Sequence, residues 1–483
     1  MFPCFWLVSV MAVQKGFGLG VAAPASKVLT LGGFLSGSAR VLGIGSMSQS
    51  QMMTLFITVM IAIVAFYVWV LVLLARNGKK LSRAFIIGAS VGLCLWLLFV
   101  PPILAKDLFN YAFYGRALAV YGRNPATTVP AAFPSDPALR FISWQHTPSV
   151  YGPLFNAIAG GTVLLSGKGA VANVIAFKLL ALAFFIGSLF VVDSLARRMH
   201  AGKRAFILAA VAFNPLLIIH LVGGGHNDTI MIFLLVLAFL LYRQERPVLA
   251  VSSAVLSVLI KTTAVFVLIP MLVLFLRQNA RWPLRKYGQA ALAVVGLPLL
   301  FYLPMWPGVS GLKRIISVGS DFNQVSVPKF FSVYVEKALH GLGMHTTNAA
   351  SLGGSLARGA FMLAFLAVLV FCCWKVRDLD SLLFYSGVIL FAFLMSTPWL
   401  MPWYAGMVIA VAALSGSYLL TGAAVGMTAV ISLYGSGINK WPFQTYPVLL
   451  LLITAGILLL GVLKYRPEWR PRSAEGELVP PES

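Results

Sequence analysis

The stretch Ala84–Arg116, AFIIGASVGLCLWLLFVPPILAKDLFNYAFYGR, passes within a few residues from a bilayer-length apolar run into a polar, aromatic segment. Residues 84–105 carry no charge, and neither does the preceding run 52–75. Between the two runs stand Arg76, Lys79, Lys80 and Arg83. Basic hairpins of this kind stay on the cytoplasmic side, which places Lys106 and Asp107 on the outer side. At helical spacing Asp107, Tyr111, Tyr114, Leu118 and Tyr121 share one face, and Arg116 and Arg123 add cations to the same short element. Two readings of Asp107 stand. It heads an aromatic stripe suited to holding a sugar and a phosphate, or it caps a helix whose stripe rests among lipid headgroups.

The composition agrees with a membrane protein. Of 483 residues, 60% are hydrophobic and 10% charged, against roughly 25% charged in soluble chains. The formal charge of +23 fits basic cytoplasmic loops. No basic, aromatic-interleaved soluble module is present, so nucleic acid is not an expected partner. Cys4, Cys94, Cys372 and Cys373 lack metal-ligand spacing and imply no disulfide framework.

Taking the apolar runs in order gives an all-α, polytopic membrane helical bundle of about 12 transmembrane helices. Amphipathic juxtamembrane helices are expected in the first outer loop. Residues 1–50 read as an N-terminal leader or weak membrane segment and 51–465 as the membrane domain, with outer loops 106–150 and 304–356. Residues 466–483 read as a cytoplasmic tail. The segment 151–166 breaks the in-out parity and should lie along the membrane or dip into it. The run 248–276 is too long for one upright helix. It reads as two short helices meeting at Lys261-Thr262-Thr263, or as one tilted helix with Lys261 snorkelling to an interface.

Only 13 acids exist, so the carboxylates are few enough to sort. Glu245, Asp378, Asp380, Glu468, Glu475, Glu477 and Glu482 fall on the cytoplasmic side, and Asp193 lies near arginines at a cytoplasmic end. Asp136, between Ser135 and Pro137, reads as turn chemistry. Asp321 and Glu336 sit on the long second loop. Asp107 and Asp228 remain. Asp228 closes Gly223-Gly224-Gly225-His226-Asn227-Asp228, which reads as an anion site at a helix start or as a tight capped turn. Two further patches are Trp144-Gln145-His146-Thr147-Pro148-Ser149-Val150-Tyr151-Gly152-Pro153, a rigid aromatic loop, and Thr397–Tyr404, whose Trp403 and Tyr404 also suit an interfacial belt. No Walker-type loop, zinc-binding His-Glu-x-x-His or nucleophile elbow occurs.

These patches, in this order, resemble integral-membrane glycosyltransferases of the GT-C type. The chain is most similar to bacterial polyprenol-phosphate-mannose-dependent mannosyltransferases that build α-1,6-linked mannan cores. Asp107 with Tyr114-Gly115-Arg116, Tyr121-Gly122 with Asn124-Pro125, and Thr147-Pro148-Ser149 with Tyr151-Gly152-Pro153-Leu154 carry the likeness. Asn214-Pro215, the 223–228 run, Lys261 and Pro402-Trp403-Tyr404 extend it over roughly residues 50–465. Ala126 stands where such proteins commonly have an aromatic, and Val150 where a proline is expected. The resemblance implies a multi-pass protein of the cell membrane with an outward-facing site. It would take a sugar, mannose foremost, from a polyprenyl-phosphate-linked donor to a glycan or glycolipid acceptor. Asp107 stands at the position of the general base. His226, Lys261 and Arg116 would meet the donor phosphate, and Tyr111, Tyr114, Trp144, His146, Tyr151, Asp228, Trp403 and Tyr404 the sugars. A divalent metal is left open, Asp107 and Asp228 being a sparse oxygen set. The rival reading is a transporter or flippase for a lipid-linked or anionic sugar, which would also place polar residues and broken helices at membrane depth.

Overall fold

The computed structural model describes residues 1–12, 32–77, 81–102, 106–136, 138–278, 282–317, 322 and 326–434, with isolated positions at 452, 455 and 456. Among these residues the chain is helical, with no strand: an all-α, polytopic membrane protein. Among the described residues four helices are long and apolar enough to cross a membrane, and they lie at Ser50–Arg76, Ala170–Met199, Thr346–Lys375 and Leu379–Ser396. Seven shorter apolar helices accompany them. Most of the run 447–463 and all of the tail lie outside the described residues. Large apolar side chains such as Trp69, Leu292, Leu363, Val370 and Trp374 face outward, the arrangement a lipid solvent favours.

The short helices have local causes. Helix α1 (Phe2–Ala12) packs into the bundle, where Trp96 Nε1 donates to Ser9 Oγ at 3.1 Å. Helix α2 (Gly32–Val41) and the long α3 (Gln49–Asn77) follow. The next helix, α4 (Arg83–Leu98), starts at a Ser82 cap that accepts from Phe85 N and stops before Pro101-Pro102, which have no N–H to continue it. After α8 (Arg204–Ala212) the chain breaks at Asn214-Pro215. Asn214 Oδ1 accepts from Leu216 N and Leu217 N at 3.1 and 3.3 Å, and a π-helical segment, Leu217–Val222, follows. The Asn214 amide also donates to Tyr67 and Thr428 at 3.2 Å, so the freed polar groups of the break are satisfied inside the bundle. The run 248–276 does divide at Lys261, whose backbone is extended between Pro247–Ile260 and Val265–Arg277. The second long loop is largely helical, with Gly308–Ser317 and Val327–Gly341 before the span that starts at Thr346.

The first outer loop forms one short helix, α5 (Asp107–Ala119), and two single turns. Within α5 every residue from Leu108 to Ala117 is buried against the rest of the protein. Helix α6 (Pro153–Ser166) holds it down, with Gly115 set directly against the Ala159 carbonyl and Gly160 against Leu118. At 1.5 Å per residue, α6 is about 21 Å long, short of the ~30 Å hydrocarbon core. Helices α4 and α7 (Ala170–Met199) run antiparallel. Asp193, late in α7, pairs with Arg83 at the start of α4 and with Arg204, while Lys178, early in α7, reaches the end of α4.

Gly152 joins the outer loop to the break at Lys261. Its N–H donates to the Ile260 carbonyl at 3.1 Å, and a Cβ there would collide with the Leu259 carbonyl. Gly152→Ala is expected to lower the unfolding midpoint in detergent, by the roughly 1–3 kcal/mol or more of an overpacked site. Gly161→Ala, on α6 where nothing lies within 4 Å, should hold stability or gain up to about 1 kcal/mol.

Candidate active site

Asp107 occupies the first turn of α5, and Lys106 takes the cap position ahead of it. The capping alternative is therefore not realised, and the carboxylate is available to its surroundings. It is partly exposed in an otherwise buried setting. Burial pushes its carboxyl up to about 6, against the pull of Lys261 and of a hydrogen bond from the Trp144 side chain, and nearby Asp228 adds to the rise. Three side chains from distant parts of the sequence thus converge on it.

The second acid is committed elsewhere. Lys261 Nζ lies 2.8 Å from both oxygens of Asp228 and 4.5 Å above the Tyr404 ring. Asp228 is 1% and Lys261 7% exposed, so this is a buried ion pair. Each partner stands at a helix end, Asp228 in the first turn of α9 (Asp228–Arg243) and Lys261 just past α10 (Pro247–Ile260). The glycine-rich turn that delivers Asp228 needs Gly225 itself. Its φ is +66°, and a Cβ there would strike Leu108, the neighbour of Asp107.

An aromatic shell closes around the two acids. Tyr111 is buried edge-on to Tyr151 and Phe155, with ring centroids 5.0 and 5.1 Å away. Its hydroxyl lies 3.2 Å from His226 Nδ1. The His226 ring stacks on Trp403 at 4.2 Å, and its Nε2 is buried with no hydrogen-bond partner among the described residues. Asn227 Nδ2 is in the same condition. Tyr114 donates to the Thr147 carbonyl at 3.2 Å, which ties α5 to the rigid loop. Trp144, 44% exposed, meets Trp399 edge-on at 6.3 Å on the rim.

The fold therefore brings together Asp107, Tyr111, Tyr114, Trp144, Tyr151, His226, Asp228, Lys261, Trp403 and Tyr404. Two expected members stay apart. Arg116 is buried against Asp136 at 2.8 Å and donates to the Lys168 carbonyl, so its guanidinium is used within the loop. His146 is exposed and takes no part in the contacts given for the cluster. Asp136 keeps its turn role, accepting from Ala138 N at 2.8 Å, while its other oxygen serves Arg116 and Tyr121. Phe155 is an addition with no sequence signal of its own beyond the neighbouring Pro153, and Trp399 comes from the Thr397–Tyr404 patch. Among the described residues no three His, Cys, Asp or Glu side chains are grouped to hold a metal ion, and Lys261 covers both oxygens of Asp228.

A family model, the MptA_B family, described as alpha-(1->6)-mannopyranosyltransferase, N-terminal domain, matches residues 7–278. The chain is 26% identical over 483 residues to a probable alpha-(1->6)-mannopyranosyltransferase of Mycolicibacterium smegmatis, covering 90% of this chain and 84% of that protein. It is 30% identical over 174 residues to alpha-(1->6)-mannopyranosyltransferase A of Corynebacterium glutamicum, 36% of this chain and 35% of that one. To alpha-(1->6)-mannopyranosyltransferase Rv1459c of Mycobacterium tuberculosis it is 34% identical over 151 residues, 29% and 25% of the two chains. The matched span holds Asp107, His226, Asp228 and Lys261 and covers more than half of the sequence, so the chain belongs to the alpha-(1->6)-mannopyranosyltransferase family of glycosyltransferases.

Proposed function

We propose that the protein transfers a mannosyl group from a polyprenyl-phosphate donor to a hydroxyl of a glycan or glycolipid acceptor, at the outer face of the cell membrane. Asp107 is the general base. The observation that carries this reading is Asp107 itself, a partly exposed residue at the edge of a buried aromatic cluster whose carboxyl burial raises to about 6. A base poised near the working pH is half-charged at modest acidity yet still basic enough to take a proton. The outer-face assignment rests on the basic hairpin at the start of α4 and on Asp107 following the end of that helix.

The bonds balance simply. The acceptor O–H gives its proton to Asp107 as its oxygen bonds to the anomeric carbon. The bond from that carbon to the phosphate oxygen breaks, and its electron pair leaves with the polyprenyl phosphate. Negative charge grows on the departing group, where preorganised donors act most strongly. Lys261, held between Asp228 and Tyr404, supplies a fixed cation there. The Tyr111 hydroxyl lies against His226 Nδ1, and in the tautomer that carries its proton on Nε2 His226 offers one buried donor more. Tyr151, Trp144, Trp403 and Tyr404 present aromatic faces for the sugars. Asp228 acts by holding Lys261. The family match favours transfer over transport, and the α-(1→6) linkage in the relatives' names points to a primary C6 hydroxyl as the attacking group.

Purified protein supplied with radiolabelled polyprenyl-phosphate-mannose and acceptor glycan tests the reading directly. Asp107→Asn should cut turnover by about 10²–10⁴-fold while the donor still binds; turnover equal to wild type would remove Asp107 from the chemistry. In wild type, kcat/KM should fall about tenfold per pH unit below the acid limb near 6, because protonated Asp107 cannot accept the proton. A flat profile from pH 5 to 7 contradicts the assignment. Lys261→Met should lower kcat/KM by about 10²–10³-fold. It should also destabilise the fold by roughly 3–5 kcal/mol, since Asp228 is left buried and unpaired. The double variant Lys261→Met/Asp228→Asn should regain the stability and not the activity, read from unfolding and transfer in one preparation.

A further inference from the structure

Lys178 is the one charge between Ala170 and Val192 of α7, and it is fully buried. An ionisable residue at that depth is retained only where something specific satisfies it. No carboxylate pairs with it among the described residues. Its ammonium donates instead to two backbone carbonyls, Leu97 O at 2.8 Å and Val100 O at 2.5 Å. The choice of carbonyls has a reason in the sequence. In an uninterrupted helix, Leu97 O would accept from the N–H of residue 101, which is a proline and has none. Leu97 O is left with the Val100 N–H at 3.3 Å in the closing turn, and Lys178 adds the second donor that Pro101 cannot supply, at the negative end of the α4 dipole.

The stem of Lys178 is as well placed as its head. A Cβ added at Gly225 would touch Lys178 Cγ at 3.5 Å and collide with Leu108. Leu97 in turn packs against Gly223. One side chain therefore meets the exit of α4 and the Gly225 turn that carries His226 and Asp228, and Leu108 of the first turn of α5 packs on that same Gly225. These are the segments that deliver the two acids of the cluster. We infer that Lys178 is a positioning residue for Asp107, setting the exit of α4 and the start of α5 so that the carboxylate faces Lys261 and Trp144. The inference rests on the reading of Asp107 as the base.

Lys178→Met removes both hydrogen bonds, and Lys178→Gln keeps an N–H donor group on a shorter, uncharged side chain. Each is compared with wild type and Asp107→Asn in detergent, with rates normalised to bound donor so that unfolded protein does not count. Misplacing a catalytic group by an ångström is worth up to about 10²-fold. The expected result is a fall in kcat of about tenfold or more, smaller for Gln, with donor KM within about twofold of wild type. The acid limb of kcat/KM should also move in the Met variant, because Asp107 then meets different neighbours. An unchanged kcat and limb per bound donor would assign Lys178 to stability alone and overturn the inference, as would failure of both variants to fold. If Asp107→Asn keeps full turnover, the base reading fails first, an outcome plainly different from inert Lys178 variants beside a dead Asp107→Asn.

Discussion

The buried pair between Lys261 and Asp228 is the interaction on which the rest of this molecule turns. Each charge sits where a membrane helix is interrupted, and neither would be tolerated there alone. Paired, they join the start of α9 to the end of α10 and hold an ammonium against the Tyr404 ring. The same ammonium is felt by Asp107 from a different helix. Through this one contact the outer loop, the glycine-rich turn, the break in the 248–276 run and the Pro402–Tyr404 turn share a single polar centre.

Placing a polar centre among apolar helices has a structural consequence. Helices must stop short to leave room, and every stop frees backbone groups that lipid cannot satisfy. At four of these stops a specific partner meets the freed groups. Asn214 caps the π-helical segment and is itself anchored by Tyr67 and Thr428. Lys178 fills the place of the N–H that Pro101 lacks. Gly152 lends its own N–H to the last carbonyl of α10. Asp378 closes a reciprocal cap with Ser381 at the start of Leu379–Ser396. The many short helices and the few buried polar residues are two sides of one requirement.

The first outer loop shows how cations divide between structure and chemistry. Arg116, buried at 3%, spends its guanidinium on Asp136 and the Lys168 carbonyl, and Tyr121 shares the same carboxylate. That network fixes the far end of α5 while its first turn carries Asp107. A residue more than two turns from the candidate base thus holds the helix, and the cation beside the two acids is Lys261, from a distant part of the chain.

The sequence by itself determined the membrane class, because uncharged runs of bilayer length have no other stable home. It also marked the four polar patches, since acids and glycine turns are conspicuous in so apolar a chain, and it exposed the break at Lys261 through a run too long for one upright helix. The tertiary structure decided which patches meet. The stacking of His226 on Trp403, the capture of Arg116 by Asp136 and the use of Leu97 by Lys178 join residues 177, 20 and 81 positions apart. Helical periodicity fixes which face a side chain takes on its own helix. It says nothing of which helix lies opposite, because that depends on how the helices cross and pack once they share a membrane.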